Sequence, residues 1–310
     1  MCPGFTADPG CNVQRQGAMC KTAMIDRELA KLAVNVALQE TRLAKSGSIK
    51  EQNYTFFWMG KAKDEHRTHG VGFAVSNKLV QEFDNPVGVS ERIISLTLKQ
   101  SASPTHLICA YAPTLPSEAA VKDQFYNRLA GVLNKIPPED CVMLLGDFNA
   151  HVGADYLAWP NAIRRFGVGK INENGQRFLE LCSQHGLCIA NTWFQQKQHR
   201  RVTWMHPPSK HWQRLDLALI RRRDIGLVRC SRTYHTADGD TDHSLVLTQM
   251  NMPKQKPKPK TKREAAPKHC KNEGRRKCHS IPEVVCKEGG CKQYRHRTRR
   301  ELAEPVSCYA

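Results

Sequence analysis

Long apolar segments are absent from this sequence, and so is an N-terminal leader of the secretory kind. No apolar run approaches the roughly 20 residues that a membrane-spanning helix requires. Residues 1–21 have neither an apolar core nor a charged leading region. These absences argue against a membrane partner and favour an intracellular protein. We therefore expect the 13 cysteines to be reduced thiols rather than a disulfide framework.

Acidic residues are scarce as well. The chain has 29 Asp and Glu residues against 47 Lys and Arg residues, which gives a formal net charge of +18. Residues 253–310 hold 17 basic and 6 acidic residues and carry +11 of that charge. A basic domain followed by a more basic tail is typical of a protein that binds a polyanion such as DNA. Charge alone is also compatible with a solubilising tail that has no partner.

The pattern along the chain divides it into three parts. Residues 1–20 lack periodicity and are expected to be irregular, residues 21–250 predict a globular domain, and residues 253–310 predict a basic, disordered tail. Amphipathic spacing predicts three helices, one after Lys21, one around Phe125 and one from Asn172. Strands are predicted near residues 34–38, 71–75, 92–98, 106–111, 141–145, 187–191, 202–204, 215–220 and 244–247. Runs of strands interrupted by helices favour mixed sheets with outer helices.

Two short motifs carry the chemistry of the predicted site. An apolar strand pattern at residues 141–145 ends at Gly146, and Asp147 and Asn149 follow on the same side of an extended chain. Further along, Asp242 and His243 place a second carboxylate beside an imidazole. Metal-assisted attack of water on a phosphodiester needs carboxylates for the cation, a base for the water and a donor for the phosphorane oxygens. Together the two motifs predict that reaction.

Five motifs in this order resemble the exonuclease-endonuclease-phosphatase superfamily. They are Leu38–Thr41, Ala110–Pro113, Gly146–Asn149, Leu215–Asp216 and Thr241–His243. Within the superfamily the chain is similar to the endonuclease domain of non-LTR retrotransposons and to the craniofacial development protein 2 group. The resemblance implies an α/β fold of the DNase I-like kind, a four-layer sandwich of two mixed β-sheets flanked by helices. No polymerase-like Ala-Asp-Asp motif follows, which implies the nuclease without its reverse transcriptase.

The resemblance implies a metal-dependent phosphodiesterase that nicks DNA, with Mg²⁺ as the cation and Mn²⁺ as the alternative. It makes Glu40, at the end of a predicted strand, the principal metal ligand, and hard oxygen ligands suit Mg²⁺. Asp242 is expected near the metal or in the network of water that faces the phosphate. Asp147 is expected to orient or deprotonate the attacking water.

Four further residues are expected to act on the phosphate. Asn149 and Tyr111 would donate hydrogen bonds to phosphate oxygens, and His243 would be the electrophilic donor beside the developing negative charge. A histidine in that role needs an acceptor behind it that fixes its tautomer. Asp216, in the predicted strand at residues 215–220, is the candidate for that acceptor.

An aromatic and basic interval precedes Asp216 and allows two interpretations. In one, its side chains contact DNA by stacking on a base or entering a groove. In the other, the tryptophans belong to the core and the basic residues form a solvated rim. The residues concerned are Asn191, Trp193, Arg200, Arg201, Trp204, His206, Lys210, His211, Trp212 and Arg214.

The chain departs from the family at its beginning. Family members open with a strand that bears a Trp-Asn pair, whereas Asn12 lies in a Pro, Gly and Cys segment without a strand pattern. A lost strand would leave an unpaired edge within the sheet and remove one polar ligand. Two alternatives to the nuclease therefore stay open: an inactive domesticated protein that binds DNA, chromatin or protein, and a phosphoesterase with another substrate. No protein partner is indicated.

The tail contains two weaker patterns. Lys254–Arg263 alternates lysine and proline and fits either a nuclear localisation and nucleic-acid patch or an incidental linker. We expect the nucleus to be the compartment. Zinc modules use paired short cysteine spacings, and here one spacing alone, Cys286 to Cys291, fits. A zinc site is therefore not predicted.

Overall fold

The computed structural model describes residues 21–62, 64–66, 68–99, 104–235 and 242–251, and the backbone of residues 306–309. Within them lie three α-helices, numbered in chain order: α1 Lys21–Leu32, α2 Ala119–Asn134 and α3 Glu173–Gln184. None of the described helices is long and apolar enough to cross a membrane. All three begin within a few residues of the positions that the amphipathic spacing predicts.

Two large sheets form the centre of the fold. The first has the strand order β15-β16-β17-β1-β4-β3-β2, and the second has the order β11-β14-β8-β7-β6-β5. The strands of the first sheet are β1 Asn35–Gln39, β2 Ser46–Lys50, β3 Tyr54–Met59, β4 Val71–Ser76, β15 Val228–Tyr234, β16 Leu245–Met250 and β17 Val306–Tyr309. Those of the second are β5 Val87–Ser90, β6 Ile93–Leu98, β7 Thr105–Tyr111, β8 Cys141–Asp147, β11 Leu187–Ile189 and β14 Asp216–Arg221.

Both sheets are mixed. Their neighbouring strands pair antiparallel except for β7 with β8 and β1 with β17, which pair parallel. Two short two-stranded sheets lie outside the large sheets. One is a two-stranded sheet of β9 Val152–Gly153 with β10 Val168–Ile171, joined by a longer loop, and the other is the hairpin of β12 Trp204–Met205 with β13 Trp212–Gln213.

Three apolar clusters separate four layers. The central one packs the inner faces of the two sheets together, for example Phe73 of β4 against the side of the second sheet that carries Met143. On the far side of the second sheet, Leu129 of α2 and Phe178 of α3 join the cluster with residues of β8 and β14. On the far side of the first sheet, α1 packs its Leu29 into a third cluster. The four-layer sandwich of two mixed sheets flanked by helices is thus confirmed.

Several strands escape the sequence patterns for identifiable reasons. β2 is mostly exposed and polar, and β5 lies at an edge with little burial, so neither shows apolar alternation. β3 reads as a continuous aromatic and apolar run rather than an alternating one. The predicted strand at residues 187–191 is shorter in the structure, because a 3₁₀ turn at Ala190–Thr192 follows β11.

The ends of the chain need a correction. The expectations for residues 1–20 and for residues 252–305, including the lysine–proline segment and the cysteine spacings, lie outside the described residues. The predicted disordered tail is wrong for Val306–Tyr309, which form β17 between β1 and β16. The first sheet therefore has no unpaired gap at that position. A four-residue strand after a long basic segment carries too little pattern to be recognised by spacing alone.

Candidate active site

Three polar side chains lie in one row across the second sheet. Tyr111 ends β7, Asp147 ends β8 and Asp216 begins β14. The strand register pairs Tyr111 with Asp147 and Asp147 with Asp216. Residues that are directly opposite on neighbouring strands point to the same face, about 5 Å apart. Strand pairing alone therefore brings together three of the predicted site residues.

Gly146 makes this row possible. Its φ of +152° lies in a region that side-chain-bearing residues rarely adopt. A Cβ at this position would lie 1.8 Å from the carbonyl oxygen of Ala110 on β7. The close approach of the two backbones at this point leaves room for glycine alone.

His243 contacts the row through Asp216. Its Nδ1 donates to Asp216 Oδ2 at 2.9 Å, and the Asp216 side chain is buried. Burial lowers the pKa of His243, but the charge and hydrogen bond of Asp216, helped by Asp147 and Asp242, outweigh it and raise the pKa to about 10. The Asp216 carboxylate therefore favours the protonated imidazole. The acceptor predicted behind His243 is in place, and the catalytic role of the pair stays a prediction.

Asp147 is buried between these groups. The backbone N–H of Asn149 donates to its Oδ1 at 2.9 Å. Burial raises the pKa of Asp147, Asp216 raises it further, and His243 lowers it, with the result near 7. Asp147 is thus a carboxylate with a pKa close to neutral pH, which suits a proton acceptor.

Asn149 adopts a left-handed backbone conformation, with φ of +46°. Its Nδ2 donates to the carbonyl oxygen of Ala112 at 2.9 Å. This contact fixes the orientation of the amide at the end of β8. The predicted contact of this amide with a phosphate oxygen stays a prediction.

Glu40 reaches the row from the other sheet. It follows β1 in a left-handed conformation with φ of +50°, which costs a non-glycine residue roughly 1–2 kcal/mol. Its Oε1 accepts from the Tyr111 hydroxyl at 2.5 Å, and its Oε2 accepts from Arg42 Nη2 at 2.8 Å. Glu40 and Tyr111 therefore bridge the two sheets, which places the candidate site at one end of the sandwich.

Asp242 has a different partner from the one expected. Its carboxylate accepts from the Trp204 indole at 2.8 Å, and Trp204 pairs with His243 in an isolated β-bridge. The centroids of the Trp204 and His243 rings lie 6.1 Å apart. Trp204, predicted as either a DNA contact or a core residue, thus orients the Asp242–His243 motif.

Arg92 and His69 are site neighbours that the sequence patterns missed. Arg92 Nη1 donates to the Tyr111 carbonyl oxygen at 3.1 Å, and its guanidinium lies 5.2 Å from the centre of the Tyr111 ring. Arg92 Nη2 lies 2.9 Å from His69 Nε2. A guanidinium only donates, so His69 accepts and is neutral. Burial, with the charge of Arg92, lowers the pKa of His69 to about 4. A lone Arg and a lone His carry no motif that would have revealed them.

The donors at this site suit a hard divalent cation. Among the described residues, no group of three or more His, Cys, Asp or Glu side chains forms a metal cage. Mg²⁺, however, commonly uses one or two carboxylates and completes its shell with water and substrate oxygens. Glu40 offers a half-buried carboxylate, and the buried Oδ1 of Asp216 has no hydrogen-bond partner. Carboxylate oxygens of this kind are ones that Mg²⁺ binds.

Two residues of the aromatic and basic interval are structural. The Asn191 amide donates to the Asp216 carbonyl oxygen at 3.3 Å and accepts from the Ala218 N–H at 2.7 Å. Arg214 is buried and donates to backbone carbonyl oxygens, one of them that of Arg201 at 2.5 Å. Burial, with the nearby charge of Arg201, lowers the pKa of Arg214 to about 9. For these two residues the DNA-contact interpretation is wrong, because neither side chain faces solvent.

Trp193 is also engaged within the protein. The guanidinium groups of Arg164 and Arg222 lie 4.6 and 4.4 Å from the centre of its ring. The ring packs at the margin of the cluster between the sheets. A base cannot stack on Trp193 without displacing these cations, so it is not a DNA platform in this structure.

Trp212 differs from its predicted companions because it is 45% exposed. It stands in the β12–β13 hairpin beside a cleft of about 1310 Å³, whose lining includes Arg201, Lys210 and His211. His235 also lines the cleft and contacts the hydroxyl of Ser244, the residue after His243, at 2.8 Å. An aromatic and basic surface therefore adjoins the candidate active site.

The sequence matches a known protein family. The model of the Endonuclease/Exonuclease/phosphatase family matches residues 27–243. Craniofacial development protein 2 of Bos taurus is 28% identical over 244 residues, which cover 78% of this chain and 40% of that protein. The chain thus spans about two fifths of the length of this curated relative.

Two solved nucleases share the fold. An AP endonuclease from Archaeoglobus fulgidus is 15% identical, with a TM-score of 0.55 over 75% of this chain and 94% of that chain. The 3′-5′ exonuclease NExo from Neisseria meningitidis is 17% identical, with a TM-score of 0.52 over 74% of this chain and 95% of that chain. At these identities the likeness shows a common fold.

Proposed function

The chain belongs to the Endonuclease/Exonuclease/phosphatase family, and from that membership we propose that it is a Mg²⁺-dependent endonuclease that nicks DNA. We also propose that it derives from a non-LTR retrotransposon and acts in the nucleus. The family supports phosphoester hydrolysis as the reaction class. The observation that carries the proposal is the continuous cluster in which the row of Tyr111, Asp147 and Asp216 meets Glu40 on one side and His243 on the other.

Asp147 is the group suited to activate water. It lies at the centre of the cluster, and its raised pKa makes it a better proton acceptor than an ordinary aspartate. It takes the proton as the water oxygen bonds to phosphorus and the bond to the leaving oxygen breaks. The Asn149 N–H keeps the carboxylate oriented during this step.

His243 is the group suited to the developing charge. Asp216 orients the His243 imidazole and favours its protonated form, and in that form the ring would donate a hydrogen bond to a phosphorane oxygen. Asn149 would add a hydrogen bond to another phosphate oxygen, and Tyr111 would do the same once its hydroxyl hydrogen leaves Glu40. Arg92 supports this arrangement by holding the Tyr111 backbone and ring.

Glu40 is the residue that would hold the metal, with Asp242 near it. When bound, Mg²⁺ supplies Lewis-acid stabilisation of the phosphate oxygens. The left-handed turn at Glu40 and its bond to Tyr111 orient the carboxylate toward the cluster.

DNA is favoured over other phosphoesters by charge and shape. The chain carries a formal net charge of +18, and the cleft beside Trp212 is lined by basic side chains and an exposed aromatic ring. Polyanions are attracted by such a field, and bases stack on such a ring.

A second candidate function is DNA or chromatin binding without catalysis. The observation in its favour is that both Glu40 oxygens are already engaged, one by the Tyr111 hydroxyl and one by Arg42. A cation would have to displace Arg42 from Oε2. A remnant in which this ion pair persists would bind DNA and leave it intact.

Nicking of supercoiled plasmid separates the two functions. The purified chain is incubated with plasmid in Mg²⁺ and in EDTA, and His243→Ala is compared with Glu139→Gln. Glu139 is exposed and precedes the opposite end of β8, so its variant controls for handling. Metal-dependent nicking that His243→Ala alone loses supports the nuclease. Plasmid binding without nicking by the unaltered chain supports the binding protein.

A further inference from the structure

The middle of the first sheet is built from a distant part of the chain. β17 pairs parallel with β1 over residues 35–38 and antiparallel with β16 over residues 246–248. In the part of the chain that the structure describes, β1 and β16 do not pair with each other. Without β17 the sheet would separate into β15–β16 on one side and β1, β4, β3 and β2 on the other. We call the position between β1 and β16, which β17 fills, the slot.

The two walls of the slot lead to opposite halves of the candidate site. β1 runs into Glu40, and β16 begins two residues after His243. Because β17 is parallel to one wall and antiparallel to the other, the end of β1 and the start of β16 lie at the same edge of the sheet. Adjacent strands are about 4.8 Å apart, so β17 sets a separation of about 10 Å between these walls.

The occupant of the slot is connected to it by a long segment. Residues 251–305, 55 in all, separate β16 from β17. The entropic cost of closing a loop grows slowly with its length, and a covalent connection that can span the distance keeps the end of a chain at an effective concentration of about 1 mM. The strand itself offers only four residues of backbone pairing. Its binding is therefore an equilibrium that need not coincide with unfolding of the domain.

From this geometry we propose that Val306–Tyr309 is a docking strand and that the slot is its binding site. Docking completes the sheet and fixes the distance between the Glu40 half and the His243 half of the candidate site. The strand is thus a positioning element that acts on the site from outside the family-matched residues 27–243. Strand addition of this kind takes its affinity from main-chain hydrogen bonds.

Hydrogen exchange of the full-length chain tests the docking. Ser307→Pro removes a backbone donor from the middle of β17 and is disfavoured in a central strand, whereas Ser307→Ala keeps the backbone intact. We expect Ser307→Pro to speed amide exchange in residues 35–39 and 245–250 by about tenfold or more, with β8 unchanged as the internal reference. Ser307→Ala should exchange like the unaltered chain. Equal exchange in all three proteins at both walls would overturn the proposal.

A peptide with the sequence of residues 303–310 tests whether the strand is separable. At about 1 mM, the order of concentration that a tether supplies, it should restore protection of both walls in Ser307→Pro. A scrambled peptide of the same composition should not. Failure of the native peptide to exceed the scrambled one would show that β17 is an inseparable part of the domain.

A milder variant, Ser307→Gly, covers the case in which Ser307→Pro disrupts more than the slot. If Ser307→Pro also exposes β8, Ser307→Gly replaces it, because glycine weakens a strand interior but keeps the backbone donor. The slot walls should then exchange faster while β8 stays protected, and loss of protection everywhere with this variant would contradict separate docking. Exchange is read without any substrate, so the result stands whether or not the chain nicks DNA. Where nicking is present, Ser307→Pro should reduce it and the native peptide should restore it.

Discussion

The two halves of the candidate site are built by different means. Asp147 and Asp216 lie opposite each other on adjacent strands of the second sheet, and His243 is fixed to Asp216 by a hydrogen bond of 2.9 Å. Glu40 sits beyond the end of a strand in a left-handed turn, on a sheet whose centre is closed by β17. Register fixes the first half, whereas a turn, two side-chain contacts and a docked strand fix the second. The half that would hold a cation is therefore the more adjustable one.

The largest effect on nicking is expected for a substitution of Asp147. Asp147→Asn keeps the shape of the side chain and removes the proton acceptor, so we expect nicking to fall by about 10²–10⁴-fold. Because burial raises the pKa of Asp147, the charged form is disfavoured in the fold, and the neutral amide should not lower the midpoint of thermal unfolding. Plasmid nicking and thermal unfolding measure the two effects. A variant that unfolds would show that Asp147 is structural.

Gly146→Ala tests how strictly the pairing of β8 with β7 requires glycine at this position. The added Cβ would meet the Ala110 carbonyl oxygen at 1.8 Å, at a φ of +152°. We expect a loss of more than about 2 kcal/mol in the free energy of unfolding, measured in urea. The matched control is Gly131→Ala in α2, where nothing lies within 4 Å of the new Cβ. That variant should gain about 0.5–1 kcal/mol, since alanine favours a helix. Equal effects of the two substitutions would contradict the assignment.

The pH dependence sharpens the account of His243. Asp147 must be ionised to accept a proton, and its pKa is raised to about 7, so nicking should rise as pH increases through that region. His243 must be protonated, and its pKa is raised to about 10, so nicking should fall only as pH approaches that value. Asp216→Asn removes the largest contribution that raises the His243 pKa and should move the alkaline limb to lower pH. If the loss of nicking at high pH occurred at the same pH in Asp216→Asn, deprotonation of His243 would not be its cause.

The same shift has a consequence for stability. The interaction that raises the pKa of His243 stabilises the fold fully below the ordinary histidine pKa of about 6.5 and is lost as pH rises through about 10. Thermal unfolding midpoints of the unaltered chain and of Asp216→Asn should therefore converge at alkaline pH. A constant difference from pH 6 to pH 10 would argue against this linkage.

The smallest effect is expected in the adjustable half. Arg42→Gln removes the charge that pairs with Glu40 at 2.8 Å, in a half-exposed position where such pairs are weak. We expect the Mg²⁺ concentration at half-maximal nicking to fall by a few-fold, because less charge opposes the cation. Titration of Mg²⁺ measures this shift, with Lys135→Gln, an exposed residue after α2, as the charge-matched control. An unchanged midpoint would mean that Arg42 does not compete with the metal.

The sequence predicts what is local and misses what is brought together from afar. Short contiguous patterns predict the helices, the strands that carry Asp147 and Asp216, and the motifs at Glu40 and His243. In the structure the four site residues lie in one cluster. Arg92, His69 and the bond from Trp204 to Asp242 depend on contacts between separate segments. Burial distinguishes the two interpretations of the aromatic and basic interval. The sequence does not show burial, so it cannot tell Arg214, which is in the interior, from Lys210, which is on the surface.

The position of β17 has a consequence for how the protein is made. Val306 pairs with Asn35, so the centre of the first sheet joins segments that are synthesised far apart in time. At 5–20 residues per second, the 55 residues between β16 and β17 take about 3–11 s to translate. During that interval a nascent chain carries β1 and β16 with open hydrogen-bonding edges, which are templates for association with other chains. Slower translation of the basic segment would lengthen the exposure, and a faster one would shorten it.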